Sequence, residues 1–127
     1  MRNNKGQTLV IFVVFLPIIL IMMATIVDVG LMYYNKNKLD NINMFITEYG
    51  VNNIENENLV SELEELINKN VVNLSNKNIK INNNKIEIKL EKETESTFGK
   101  IIGIENYKIK SYYIGTNIEN KKEIKKG

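Results

Sequence analysis

Cysteine and histidine are both missing from this 127-residue chain. Without cysteine there are no disulfides, no thiolate chemistry and no cysteine-based zinc site. Without histidine the commonest general base and metal ligand is gone. Charge of one sign is lacking as well. The formal net charge is +2, and setting aside Arg2, Lys5 and Asp28 from 17 basic and 15 acidic residues leaves 15 against 14, intermixed. A nucleic-acid partner wants a one-signed patch, and none is present. The acidic run Glu62, Glu64 and Glu65 reads as a solvated helix face. Ser61, Ser75, Ser96 and Ser111 have no nucleophile elbow or base near them in sequence, and "FGKIIGIEN" lacks phosphate-loop spacing. These absences point away from an enzyme, from a cofactor or metal, and from a small-molecule substrate.

The apolar residues are concentrated at one end. Residues 6–27 carry no charge, and residues 9–27 are almost all hydrophobic. About 20 apolar residues in a helix rising ~1.5 Å each cross a bilayer core. The segment therefore qualifies as a membrane-spanning helix, and the remaining chain is too small to surround it as a soluble core. A removable secretory signal would end in small residues of A-x-A type, whereas Ala24 stands alone before "TIVDVG". The single proline, Pro17, is tolerated in a spanning helix, where neighbours satisfy the freed carbonyl. Tyr33, Tyr34, Lys36 and Lys38 suit the far interface. Arg2 and Lys5 bias the amino terminus to the cytoplasmic side, so the remainder of the chain is expected outside the cytoplasmic membrane.

Beyond Gly30 an amphipathic stripe runs through Met32, Leu39, Ile42, Ile46 and Tyr49, and Gly50 is the first residue suited to ending a helix. The period predicts a second helix over 59–69, with Asn58 as N-cap, Leu59, Leu63, Leu66 and Ile67 on one face, and Glu65 paired with Lys69. It then changes to two. Ile79 and Ile81, a turn at 82–84, and Ile86, Ile88 and Leu90 read as a hairpin, with a third strand at 107–114. The expected organisation is a cytoplasmic tail over 1–7, a transmembrane helix over 8–34 and its amphipathic extension over 35–50. A small extracytoplasmic head follows over 51–116, then a charged flexible tail over 117–127. The fold class is α+β, a long membrane helix continuing into a small pilin-like head with a second helix and a short antiparallel sheet.

The stretch "KGQTLVIFVVFLPIILIMMATIVDVGLMYYNKNKLDN" resembles the amino-terminal segment of the TadE/TadG-like proteins of tight-adherence (Flp) pilus assembly. The shared features are the basic start, Gly6, the apolar run with Pro17, then Asp28 and Gly30. The resemblance is strongest over 5–50 and faint over 85–114. It implies a membrane-held pseudopilin-like subunit whose partners are the cytoplasmic membrane and other pilus-assembly subunits. It also implies a prepilin-peptidase cut between Gly6 and Gln7, with a glutamate five residues beyond the cut. Ile11 occupies that place, so the sequence fits an uncut, TadG-like subunit better. Asp28 reads first as an ordinary acid at the membrane boundary; the functional alternative makes Pro17, Asp28 and Gly30 contacts with partner helices, because ionisable groups there are costly unless paired and glycine permits close approach. The alternative is an unrelated single-pass envelope protein with a small extracytoplasmic binding domain.

Overall fold

The computed structural model describes residues 4–127. A single helix, α1 (Asn4–Asn52), runs without interruption through Pro17 and out of the apolar stretch. At ~1.5 Å per residue it is about 70 Å long. Its two halves live in different surroundings. Every large apolar residue from Leu9 to Met23 is exposed, and no residue of the most apolar window is buried. Among the described residues this is the one helix long and apolar enough to cross a membrane. Its exposed flank has no protein to cover it, as a lipid-facing surface requires. From Leu39 on, the expected stripe turns inward. Leu39 and Ile46 are buried, with Met32, Ile42 and Tyr49 packed against the same cluster.

The head is built on that second half. Helix α2 (Leu59–Asn70) contributes Leu59, Leu63 and Ile67 to the core. Four antiparallel strands follow: β1 (Leu74–Asn82), β2 (Lys85–Glu95), β3 (Asn106–Ile118) and β4 (Lys121–Lys126), in the spatial order β1-β2-β3-β4. A short 3-10 turn, η1 (Gly99–Ile102), lies between β2 and β3. The period-two alternation sends Ile86, Ile88 and Leu90 of β2 to the core beside Ile109 of β3. The register places Ile88 between Ile79 and Tyr113. The core is therefore a layer between one sheet face and the two helices, and α1 supplies the surface that a head of this size lacks by itself.

Several expectations need correcting. The helix starts at Asn4, so residues 4–7 of the expected tail are helical, while residues 1–3 lie outside the described residues. It ends at Asn52, not at Gly50. Gly50 serves packing instead: a Cβ there would lie 2.8 Å from Ile86 Cδ1 and 3.6 Å from Leu63. Asn58 makes no side-chain cap. Asn56 takes over the local bonding, accepting from the Asn58 N–H at 3.0 Å and donating to Glu62 at 3.1 Å. The Glu65–Lys69 pair forms at 2.9 Å. Residues 117–127 do not form a flexible tail. β3 continues to Ile118, and β4 pairs with it from Ile118↔Lys121 to Tyr113↔Lys126. The connecting residues Glu119 and Asn120 have φ of 51° and 64°, the left-handed pair that a two-residue hairpin turn needs. Only Ile124 of β4 is half-buried, so backbone pairing holds this strand and the side-chain pattern says little.

A polar seam crosses the core where α1 meets β2 and β3. Asn43, fully buried, donates through Nδ2 to the Ile88 carbonyl and to Ser111 Oγ, both at 3.1 Å, and accepts from Thr47 Oγ1 at 3.2 Å. One turn earlier, buried Asp40 meets Lys36 at 3.0 Å and Lys126 of β4 at 3.5 Å. Lys36 also donates to the Lys110 carbonyl, so it serves the head as well as any interface. Burial pushes the Asp40 carboxyl up, but the Ser111 hydroxyl and the two lysines together hold it below its ordinary 3.8. A pKa that is lower when folded contributes stability above the unfolded value and loses it as pH falls through the folded one. The head is therefore expected to weaken below pH 3.8. Glu87, lowered by Lys85, adds to the same loss. The Asp40→Asn variant should be less stable at neutral pH and show a smaller further loss in acid, read from urea midpoints at pH 7 and 3. Equal acid losses in the two proteins would refute the assignment.

Candidate functional site

The feature that joins the apolar half of α1 to the head is built around Asp28. On a bare helix this carboxylate would stand at the end of an apolar run with nothing to pair with. In the folded chain it is 5% exposed and accepts four hydrogen bonds from three consecutive backbone amides. Thr97 N–H and Phe98 N–H reach Oδ1 at 3.0 Å each, and Phe98 N–H and Gly99 N–H reach Oδ2 at 3.1 and 2.6 Å. These amides lead into η1, where unpaired N–H groups concentrate and an anion is favoured. The sequence leaves Asp28 as either a plain boundary acid or a contact for a partner helix. The structure gives it a partner in its own chain, about 70 positions away in sequence.

The loop that presents these amides is closed by its own bonds. Ser96, 3% exposed, pairs its N–H with the Glu105 carbonyl at 3.0 Å, and its hydroxyl donates to the Ile104 carbonyl. The Ile104 N–H returns to the Gly99 carbonyl at 2.8 Å, and Gly103 turns the chain at a φ of 90°. Gly99 is needed for closeness, because a Cβ would sit 3.0 Å from Ser96 Oγ and 3.1 Å from the Ile104 carbonyl. The amides of 96–99, 101, 103 and 104 thus all have partners, four of them within the loop and three on Asp28. What this arrangement does is mechanical. It ties the β2–β3 connection to one position on the helix and fixes the height of the head along it.

The other residues singled out by sequence are not gathered here. Gly30 lies two residues beyond Asp28, and open space surrounds the position a Cβ would take, so the structure leaves it free for a neighbour. Pro17 lies eleven positions before Asp28 on the exposed apolar flank, and Gly6 and Gln7 lie in the first turns of α1, exposed. The sequence reading noticed Ser96 and "FGKIIGI" but gave neither a role, and it missed Asn43 and Thr47. A polar residue on an otherwise apolar helical stripe was the signal available for Asn43.

Residues 6–42 match the family described as TadE-like protein. No curated protein and no solved structure matches the chain. The matched stretch includes Gly6, Pro17, Asp28 and Gly30, the exposed apolar flank, and Leu39 and Asp40, where the helix enters the head. The head from α2 onward lies beyond it. The segment similar to TadE-like proteins is thus the exposed apolar helix and its entry into the head, and it continues in one unbroken helix into a small α+β head.

Proposed function

We propose that this protein is a membrane-anchored assembly subunit of a tight-adherence (Flp, type IV-like) pilus or a related secretion machine. Its amino terminus faces the cytoplasm, its head stands outside the cytoplasmic membrane, and it acts through helix and head contacts without catalysing a reaction. The observation that carries this reading is the coincidence of the TadE-like match over 6–42 with an exposed apolar helix that continues directly into the head core. Such a continuous helix transmits the position of a membrane neighbour to the head without a hinge. Pro17 and Gly30 on its uncovered flank are the positions proposed for partner helices. With Ile11 where the glutamate of a processed pilin would stand, the chain works uncut.

The test is a deletion strain of the source bacterium, complemented with the tagged full-length chain. Deletion should abolish surface pili, and complementation should restore them. The restoring protein, extracted from the cytoplasmic membrane, should carry an intact Met1 or Arg2 terminus by mass spectrometry. Normal piliation in the deletion strain would reject the assembly role, and a Gln7 terminus would reject the uncut form.

A further inference from the structure

The segment between β2 and β3 is unusually greasy for a surface loop. Ile101 and Ile102 are 81% and 71% exposed, and Phe98 and Ile104 are exposed as well. An unpaired apolar cluster of this kind marks an interaction surface. Its place in the fold identifies the partner. From the Asp28 tether the loop turns back along α1, away from the head. Phe98 and Ile101 line an open apolar groove with Leu20, Met23, Ala24 and Val27. These helix residues belong to the uncovered flank of the candidate span, so the exposed loop surface is continuous with a lipid-facing one.

We infer that residues 98–104 are a membrane-inserted foot, which dips into the outer leaflet beside the helix and seats the head on the lipid surface. The apolar run 9–27 rises roughly 27 Å at ~1.5 Å per residue, close to a hydrocarbon core of ~30 Å. Its outer edge then falls at Val27–Asp28, and the foot, whose Phe98 and Ile101 line the groove from Leu20 to Val27, reaches up to about 10 Å below that edge, the depth at which interfacial apolar faces rest. Non-helical backbone at such depth must have its amides paired. The loop meets that demand at Phe98, Gly99, Ile101, Gly103 and Ile104 through its internal bonds and the Asp28 carboxylate. Its one charged side chain, Lys100, is drawn back to Glu95 at the end of β2, 3.4 Å away. A lysine can reach the waterline in this manner while its stem stays in apolar surroundings.

The chain contains no tryptophan, so a single one reports its own surroundings. The full-length variants Ile101→Trp, Leu16→Trp and Val72→Trp are reconstituted in phosphatidylcholine/phosphatidylglycerol vesicles with bromines placed shallow or deep in the acyl chains. Ile101→Trp should emit to the blue and lose most of its fluorescence to shallow bromines. Leu16→Trp should be quenched best by deep ones, and Val72→Trp, exposed on the head, by neither. An unquenched Ile101→Trp with red emission would mean a loop in water, and an unquenched one with blue emission a loop covered by protein. Either overturns the foot while leaving the span and the assembly role intact. An unquenched Leu16→Trp overturns the span and the foot with it.

Discussion

Replacing Asp28 with alanine should release the β2–β3 loop from the helix. Amide hydrogen exchange at Thr97, Phe98 and Gly99 should accelerate by at least about tenfold, while exchange in the β2–β3 ladder stays slow. The carboxylate takes all three N–H groups at once. Removal leaves consecutive donors without an acceptor at the edge of an apolar region, where an unpaired donor costs more than a lost bond in water. Asp28→Asn should fall between the two, since its single carbonyl oxygen keeps part of the set while its amide group confronts an N–H donor. The measurement is exchange followed by mass spectrometry on the full chain in lipid nanodiscs. Unchanged exchange at 97–99 in the alanine variant would show that the loop holds itself, and that the tether adds nothing.

Why the sequence showed so much of this molecule and hid this bond follows from distance along the chain. The long helix, the stripe through Leu39 and Ile46, the face of α2 and the β1–β2 hairpin all come from patterns with periods of two to four residues. Patterns of that kind are visible within a dozen positions. The Asp28 tether joins residues about 70 apart, and its receiving side is backbone, which has no residue signature. For the same reason β4 was read as a charged tail: "KKEIKK" offers only Ile124 to a core, and its order comes from main-chain pairing with β3 and from a Glu119-Asn120 turn. Asn43 and Thr47 were hidden differently. A helical stripe is recognised by its apolar members, so neither Asn43, which bonds to Ile88 and Ser111, nor Thr47, which bonds to Asn43, was singled out. The apolar run itself was legible, but the height of the membrane edge on it was not. That height depends on where the head is tied.

Substituting Gly115 should damage the head more than any exposed change. The residue is buried on β3 where α1 crosses the sheet. A Cβ there would lie 2.9 Å from Thr47 Cγ2 and closer still to Val51 Cγ2. Neither neighbour can retreat easily. Thr47 is held by its bond to Asn43, and Val51 is a β-branched residue, fully packed at 1% exposure. The glycine is thus what brings helix and sheet to the separation at which Asn43 can reach both Ile88 and Ser111. Overpacking of a close-packed core costs about 1–3 kcal/mol and sometimes more, out of a total near 5–15 kcal/mol for a small domain. Gly115→Ala should therefore lower the urea midpoint clearly, and Gly115→Val should leave the head largely unfolded on an intact membrane helix. Circular dichroism separates the two, since sheet signal is lost while helix signal from residues 4–30 persists. Trimming the neighbours tells strain from any other cause: in a Thr47→Ser, Val51→Ala background, where both obstructing methyls are gone and the hydroxyl remains, Gly115→Ala should cost little. An alanine variant as stable as the parent would mean that helix and sheet can separate freely, and that the Asn43 seam is not fixed by this contact.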